Sequence, residues 1–470
     1  MPNITSAPTQ HTPSATESTT YAPTIFTVQH DPGTASAARL ADARPNIIFI
    51  LTDDQPYHTV AYMPTVRDVL MTGGVVFENG FVTTPLCCPS RVSIWTGQYA
   101  HNHGVLTNRL PLGGAQKFDE TLSSALWLQA VGYHTAYFGK YLNEYESLTP
   151  LGRVPAGWDT WGALLDRVQS AEDTGSENSY ESYSFSENGQ IMEGGVFSAD
   201  WVTQRSVDFI SASRDAPFFL VMAYYNPHTP YFWADRHDGQ FRANSFLRAD
   251  PYRPPNFLEA DVSDKPEYFQ QLIDGLSVEK IDTRYNHLLR SLLSVDDGVA
   301  SVLAELDQMN LRDNTIVVFI SDNGLTVGNH VPGMMKNCVY EECIRVPFIV
   351  YAPAFFAART DLRLVANIDL APTFADLSGA PIPDSVDGLS LLPLLYDPSI
   401  PWRDGLLLEH WPTDGETHLI PEFHAIRTSE WKYVEYVTGE VELYDLINDP
   451  YELSNLAALP ECVRCGGVEG

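Results

Sequence analysis

Short, continuous runs of apolar residues recur along the chain, each bounded by polar or turn-forming residues. The run Asn46–Leu51 is typical of a strand that is buried on both faces. Similar runs cover His134–Phe138, Phe218–Ala223, Thr315–Ile320 and Pro347–Tyr351. Helical patterns lie between them. This alternation of strand and helix predicts an α/β fold with a mostly parallel sheet.

Three regions depart from the alternation. Residues 1–44 are rich in Ser, Thr, Pro and Ala, which predicts a disordered tail. Residues 168–198 are polar and rich in Gly and Ser, which predicts a surface insertion with room for a small hairpin. Residues 431–446 alternate like antiparallel strands. We therefore expect a catalytic domain at 45–399 and a small antiparallel subdomain at 400–470.

The charge of the chain limits its partners. The 470 residues include 28 basic and 60 acidic ones, and the formal net charge is -32. Such a surface repels nucleic acid and anionic membranes. An anionic substrate must therefore be small or enter end-on, and its pocket must be locally basic.

No segment reaches the roughly 18 consecutive apolar residues of a membrane helix. The first residues also lack the apolar core of a signal peptide. We expect a cytoplasmic protein by default, or a secreted or periplasmic one if the native start lies elsewhere.

Six cysteines are too few for a disulfide scaffold in a chain of this length. Cys462 and Cys465 form a lone C-x-x-C pair, which we interpret as a thiol pair or a local disulfide. Cys87 and Cys88 are adjacent, just ahead of Pro-Ser-Arg. Either both cysteines are small side chains packed in the core, or one of the two has a chemical role.

Oxygen-rich side chains follow two of the predicted strands. Asp53 and Asp54 follow the first strand, and Asp322 and Asn323 follow the fourth. Either cluster alone could cap a following helix. Together they offer three carboxylates and an amide, a ligand set that suits Ca²⁺ or Mg²⁺ and not zinc. Because sites in open α/β sheets form beyond the carboxyl ends of strands, we expect a metal site there.

The stretch around the paired cysteines predicts a loop followed by a helix. Pro89 fits a first helical turn, where no amide donor is needed. Arg91 lies four residues after Cys87 and could point back toward it. Two buried cysteines with a salt-bridged arginine remain the alternative interpretation.

Three further cationic residues lie near strand ends or motif loops: Lys140, His228 and Lys336. A histidine between prolines is often structural, and one cationic residue near a strand end is a weak signal. If these three converge with Arg91 and a divalent cation, they form a site for a tetrahedral oxyanion.

The segment CCPSR at residues 87–91, followed by Thr96-Gly97, resembles the C-x-P-S-R…T-G signature of type I, formylglycine-dependent sulfatases. Further matching segments are PNIIFILTDDQ, GKYLNEY, NPHTP, LLSVDDGV, SDNG and ELYDLINDPYELSNLA. The resemblance covers nearly the whole chain beyond the tail. Within that family, the chain is most similar to the N-acetylglucosamine-6-sulfatase branch.

This resemblance implies an alkaline-phosphatase/sulfatase-like sandwich, with a large mixed, mostly parallel sheet flanked by helices and a small C-terminal antiparallel subdomain. It implies hydrolysis of sulfate monoesters of a sulfated sugar or an aryl alcohol. It also implies that a formylglycine-generating enzyme converts Cys87 to 3-oxoalanine. One hydroxyl of the hydrated aldehyde attacks sulfur, and the second allows sulfate to be expelled. Cys88 occupies the variable position and is expected to pack as a small apolar group.

By the same resemblance, Asp53, Asp54, Asp322 and Asn323 bind one Ca²⁺ ion together with residue 87, with Mg²⁺ as the alternative. Arg91 holds the diol. Lys140, His228 and Lys336 bind the sulfate, and Lys336 or His228 protonates the leaving oxygen.

One position departs from the family pattern. Many members have a histidine two residues after the first lysine, and here that position is Leu142. His101 and His103 are candidates for its role. Two other functions stay open: a phosphomonoester or phosphonate-ester hydrolase with the same site, and an unmodified binding protein with the same fold. The sequence leaves the oligomeric state open.

Overall fold

The computed structural model describes residues 44–165, 183–213, 216–242, 247, 249–273, 275–412 and 420–458. The predicted tail up to residue 43 lies outside the described residues, as do residues 166–182 of the insertion region. Cys462 and Cys465 lie outside them too, so the interpretation of this pair stays a prediction.

The described residues form sixteen strands, numbered in chain order: β1 Asn46–Thr52, β2 Val75–Phe77, β3 Gly80–Phe81, β4 His134–Lys140, β5 Thr160–Leu164, β6 Ser184–Glu187, β7 Gln190–Glu193, β8 Phe218–Ala223, β9 Thr315–Ser321, β10 Phe348–Tyr351, β11 Arg359–Asp361, β12 Val365–Ala366, β13 Gly405–His410, β14 Phe423–Thr428, β15 Trp431–Tyr436 and β16 Val441–Asp445. All five predicted apolar runs are strands.

The α-helices of the same residues are α1 Cys87–Thr96, α2 Ala100–His103, α3 Ser124–Ala130, α4 Ser198–Ala212, α5 Glu267–Gln270, α6 Val278–Gln308, α7 Glu341–Ile344, α8 Leu370–Ser378 and α9 Leu392–Tyr396. Short 3-10 turns include Tyr57–Tyr62, Tyr145–Ser147, Asp235–His237 and Asn367–Asp369, and Val66–Met71 is a π-helical turn. None of the described helices is both long enough and apolar enough to cross a lipid bilayer.

The main sheet has ten strands in the order β11-β2-β10-β9-β1-β8-β4-β5-β6-β7. The five strands from β9 to β5 are mutually parallel. β10 pairs antiparallel with β9 and β2, and β6 and β7 extend the other edge as an antiparallel hairpin. The predicted mixed, mostly parallel sheet is therefore confirmed.

Strand β1 shows why the sheet is a central layer. Ile48 and Ile50 face one apolar cluster, whereas Ile47, Phe49 and Leu51 face a second one. Side chains alternate between the two faces of a strand, so a strand with a core on both faces must be apolar throughout. Helices α4 and α6 pack on the first face, and α1, α3 and α8 on the second.

The hairpin predicted within residues 168–198 is formed by β6 and β7. These strands pair Glu187 with Gln190 and are joined by Asn188-Gly189. Both turn residues have a positive φ, 49° and 88°. This two-residue turn matches the right-handed twist of the strands, and Asn-Gly is the sequence that favours it.

A separate four-stranded antiparallel sheet, in the order β13-β14-β15-β16, covers Gly405–Asp445. It packs on its own apolar cluster, which includes Phe81, Tyr340 and Ile344 from the larger unit. The predicted antiparallel strands near the C-terminus are thus confirmed. The domain boundary at residue 400 stays a prediction.

Candidate active site

Four adjacent parallel strands, β9, β1, β8 and β4, end at the same edge of the main sheet. Their register pairs Thr52 with Ser321, and both Leu51 and Gly139 with Ala223. Six of the predicted site residues are the last residue of a strand or follow directly in the segment beyond it: Asp53, Asp54, Lys140, His228, Asp322 and Asn323. The parallel register therefore brings these six residues together at one edge of the sheet.

Helix α1 brings Cys87 to the same edge of the sheet. Leu86 is extended, and the helix begins at Cys87 itself, with Pro89 inside the first turn as predicted. Cys87 is 1% exposed, and its Sγ lies 3.4 Å from Asp53 Oδ1 and 3.0 Å from Lys336 Nζ. The first turn of α1 thus aims the thiol at the strand-end carboxylates.

Arg91 lies one turn further along α1 and is completely buried. Its Nε donates to Asp322 Oδ2 at 2.7 Å, and its Nη2 lies 3.5 Å from Asp53 Oδ2. Its Nη1 donates to the carbonyls of Lys140 and Tyr141 at 2.5 and 3.2 Å. One guanidinium therefore fixes two acidic side chains and the chain that follows β4.

Two lysines and a histidine complete the cluster. Lys140 forms an ion pair with Asp53, and its Nζ lies 5.2 Å from the centre of the Tyr225 ring. Lys336 Nζ donates to both Asp54 oxygens at 2.8 and 3.0 Å. His228 Nε2 lies 3.5 Å from Asp54 Oδ2.

The cluster meets solvent on one side only. The side chains of Lys336 and His228 are 19% and 13% exposed, whereas those of Asp53, Asp322 and Lys140 are at most 2% exposed. A substrate would therefore approach past Lys336 and His228. The buried members would lie beneath it.

The charges shift the pKa values of the buried acids. Burial opposes ionisation of Asp53, but the charges of Lys140, His228 and Arg91 hold its pKa well below its usual range. Burial, and next the Asp53 charge, raise the pKa of Asp322 to about 6. Burial and Asp53 also raise the pKa of the Cys87 thiol well above its usual value. As an unmodified cysteine, Cys87 is therefore a neutral thiol at neutral pH and a weak nucleophile.

The donor atoms fit a hard divalent cation. One ligand atom from each of Asp53, Asp54, Cys87 and Asp322 lies within 4.8 Å of the others, and all four residues are buried. Asn323 donates its amide N–H to Asp54 Oδ1 at 2.7 Å. Its Oδ1 is buried and accepts no hydrogen bond from the described residues, so an oxygen is available to a cation beside the carboxylates.

The position of the missing histidine is apolar. Leu142 is 1% exposed and belongs to the cluster of apolar side chains around Tyr141 and Trp161. The two candidate replacements have other partners: His103 Nε2 lies 3.1 Å from Ser93 Oγ, and His101 Nδ1 lies 2.6 Å from Glu409 Oε1. The structure does not bring either of them to the thiol.

Sequence reasoning missed several residues that support the site. The backbone carbonyl of Asn226 accepts a hydrogen bond from the backbone N–H of Asp53, and the side-chain amide of Asn226 donates one to Ser291 Oγ at 2.8 Å. A disulfide joins Cys338 and Cys343 directly after the Lys336 segment. Spacing alone did not predict this disulfide, although a five-residue separation permits one.

A sequence profile of the Sulfatase family matches residues 45–380. A second profile, described as N-sulphoglucosamine sulphohydrolase, C-terminal, matches residues 333–464. The two matches overlap in the segment that contains Lys336. Together they extend over the main sheet, the two-stranded sheet formed by β3 and β12, and the C-terminal four-stranded sheet.

Two relatives match over most of this chain. The extracellular sulfatase SULF-1 homolog of Drosophila melanogaster is 33% identical over 389 residues, which cover 79% of this chain and 32% of that protein. This chain therefore spans about a third of that relative. The N-acetylglucosamine-6-sulfatase of Capra hircus is 31% identical over 471 aligned positions, covering 90% of this chain and 81% of that one.

A solved structure, determined in complex with its substrate D-glucosamine-2-N,6-O-disulfate, superposes with a TM-score of 0.74 at 24% identity. The superposition covers 90% of this chain and 95% of that chain. The two proteins therefore share a fold.

Proposed function

This chain belongs to the sulfatase family, and we propose that it hydrolyses sulfate monoesters of sulfated sugars, such as N-acetylglucosamine-6-sulfate, or of aryl alcohols. The observation that carries the proposal is the buried cluster around Cys87 Sγ. There, three carboxylates and an amide oxygen meet three permanent cations, and Lys336 and His228 form the solvent-facing side. This combination of cationic donors and metal ligands suits the tetrahedral, anionic sulfate group of a monoester and the sulfate dianion that its hydrolysis releases.

We assign Cys87 as the residue that a separate maturation enzyme converts to formylglycine. The hydrated aldehyde supplies two geminal hydroxyls, one to attack sulfur and one whose deprotonation releases sulfate. Cys87 is supported over Cys88 because its Sγ lies within 3.4 Å of both Asp53 and Lys336. Cys88 is instead fully buried in the apolar cluster beneath the sheet.

We assign Asp53, Asp54, Asp322 and Asn323, with residue 87, as the ligands of one Ca²⁺ or Mg²⁺ ion. Bound there, such an ion would act as a Lewis acid on the sulfate oxygens and would lower the pKa of a hydroxyl at residue 87. Arg91 would keep Asp53 and Asp322 in place through its hydrogen bond and ion pair.

The remaining residues act on the ester itself. Lys140 and Lys336 would bind sulfate oxygens as charged donors. Lys336 Nζ lies 3.0 Å from Cys87 Sγ, the atom whose place an oxygen takes when the cysteine is converted to formylglycine. Lys336 and His228 are the two solvent-facing members, so either could give a proton to the leaving oxygen. His228 Nδ1 lies 2.7 Å from the Thr229 carbonyl, which favours a proton on Nδ1, so Nε2 gives a proton only from the doubly protonated ring.

We also infer that the protein works outside the reducing cytoplasm, in contrast to the default drawn from its first residues. The Cys338–Cys343 disulfide supports this, because such bonds persist in oxidising compartments. The relatives named as extracellular sulfatases are in agreement.

Mass mapping and rate measurements on native protein test the proposal, and two cysteine variants are compared with it. Mass mapping of the peptide that contains residues 85–97 should find the aldehyde at position 87. Rates on matched aryl sulfate and aryl phosphate should favour the sulfate, and Cys87→Ala should abolish hydrolysis whereas Cys88→Ala should not. A faster rate on the phosphate would indicate a phosphoester hydrolase. An intact thiol at position 87 in native, inactive protein would indicate a binding protein.

A further inference from the structure

A cavity of about 480 Å³ opens at the surface beside the candidate active site. One wall is Thr229, Pro230 and Tyr231, and the other is the first turns of α6. Thr229 directly follows His228, so this wall begins one residue, about 3.8 Å of chain, from a solvent-facing member of the site. The volume falls in the range of sites for small ligands, roughly 300 to 1,000 Å³.

The helical wall is cationic although the protein is strongly acidic. Lys280 and Arg284 supply the positive charge; they lie four residues apart and so share one face of α6, with His287 three residues further on. Glu279 is the acidic residue of the lining. Nearby acids already have other partners: Asp282 pairs with Arg253 at 2.7 Å and Asp238 with Arg242 at 2.9 Å. Within the described residues, the side chains of Lys280 and Arg284 form no hydrogen bond or ion pair, so their charges are available to a ligand.

At the inner end of this wall, His287 is held by an aromatic contact from outside the cavity lining. The rings of His287 and Trp233 lie 4.6 Å apart between centroids with an angle of 53° between their planes, and the Arg290 guanidinium lies 4.9 Å from the centre of the Trp233 ring. This contact fixes His287 in place. Burial, and then the charges of Arg290 and Arg242, lower the pKa of His287, so its neutral ring can exchange hydrogen bonds with hydroxyl groups.

We propose that this cavity binds the anionic sugar residue next to the one whose sulfate ester is hydrolysed, so that the preferred substrate is a short sulfated oligosaccharide. The inference rests on the proposed function. Lys280 and Arg284 would pair with a sulfate or carboxylate group of that neighbouring residue, since a guanidinium matches both in geometry. Thr229, Thr283 and Ser277 offer hydroxyls to the remaining polar groups.

The test compares Lys280→Gln and Arg284→Gln with wild type on two substrates, glucosamine-6-sulfate and a heparin-derived tetrasaccharide. Both side chains are exposed, so the variants should fold. We expect each variant to raise KM for the tetrasaccharide about tenfold, with kcat and the monosaccharide rates unchanged, because a charge-assisted contact is lost. Arg67→Gln removes the same charge from an exposed residue outside the cavity lining and should leave kcat and KM unchanged for both substrates.

Equal losses on both substrates, or no loss on the tetrasaccharide, would overturn the proposal. If wild type hydrolyses neither substrate, the proposed function fails, and the cavity is then tested by calorimetric titration with the tetrasaccharide. Weaker binding by Arg284→Gln than by Arg67→Gln supports the cavity. Equal binding by these two variants rejects it.

Discussion

Glu442 lies at the centre of a buried polar cluster that joins the C-terminal sheet to the segment after Lys336. Its carboxylate is 0% exposed and accepts hydrogen bonds from three tyrosines: Tyr340 at 2.7 Å, Tyr436 at 2.8 Å and Tyr444 at 2.8 Å. Burial, and next the Glu442 charge, raise the pKa of all three phenols well above the usual value, so they are donors at neutral pH. Tyr340 is four residues from Lys336 in sequence.

Replacing Glu442 with alanine should therefore be severely destabilising. Each buried hydroxyl that loses its acceptor costs about 1–3 kcal/mol, so three cost about 3–9 kcal/mol. Tyr436 can recover part of this loss, because its hydroxyl already lies 3.3 Å from that of Tyr268. We expect a decrease of about 3–6 kcal/mol in the free energy of unfolding, a large part of a typical total of about 5–15 kcal/mol.

Urea unfolding of the purified variants measures this decrease, with aryl sulfate hydrolysis measured in parallel. Glu442→Gln retains one carbonyl acceptor and should lose only about 1–3 kcal/mol while keeping its turnover rate. Glu435→Ala is the matched control, since this exposed glutamate accepts a single tyrosine hydroxyl, that of Tyr433. If Glu442→Ala unfolds at the same urea concentration as Glu435→Ala, the tyrosine cluster does not stabilise the fold as argued.

Two further predictions concern the site. Cys88→Ala should lower the free energy of unfolding by about 1–2 kcal/mol, because a buried side chain is shortened, and should retain most of the hydrolysis rate. Urea unfolding and a rate assay measure the two quantities. Loss of activity in the folded variant would contradict this prediction. Asp322→Asn keeps an oxygen for the Arg91 Nε but removes a charge, so hydrolysis should fall by about a hundredfold or more. Ca²⁺ should then raise the melting temperature of the chelated wild type and not that of the variant. Full activity in chelated wild type would reject the metal site.

The strands at the centre of the fold could be predicted from the sequence, as could the meeting of the strand-end residues. Asn46–Thr52 and Thr315–Ser321 are apolar along their whole length because each strand has a core on both faces. Parallel strands end at the same edge of a sheet, so the predicted parallel sheet places Asp53 and Asp322 at one edge, and the direct pairing of their two strands makes them neighbours. Strand direction could not be predicted in this way. An apolar run such as Phe348–Tyr351 gives no sign that it pairs antiparallel.

The C-terminal sheet shows where hydrophobic pattern is insufficient. In β15 and β16, Lys432 and Glu442 are fully buried, whereas Tyr433 and Val441 are each 38% exposed. The polar residues lie inside because their partners come from distant segments. Lys432 pairs with Glu341 at 3.2 Å and with Glu452 at 2.5 Å, and Glu442 accepts its tyrosines. Partners so far apart in sequence are invisible to a local pattern.

The charges of the candidate site predict that sulfate binding depends on the metal. Asp53, Asp54 and Asp322 are balanced by Arg91, Lys140 and Lys336, so the cluster has no net formal charge without a cation, whereas the whole chain has a formal net charge of -32. A bound divalent ion would give it two positive charges, and a charge pair about 4 Å apart is worth roughly 4 kcal/mol at an effective dielectric constant of 20.

We therefore expect the Cys87→Ala variant, which cannot turn over, to bind inorganic sulfate at least about tenfold more tightly with Ca²⁺ than after chelation. Calorimetric titration at fixed ionic strength measures both affinities. Lys117→Gln, which removes an exposed positive charge outside the cluster, is the control and should leave both affinities unchanged. Equal sulfate affinity in the two metal states would mean that the lysines and Arg91 suffice. The acidic residues would then need a role other than ligating a cation.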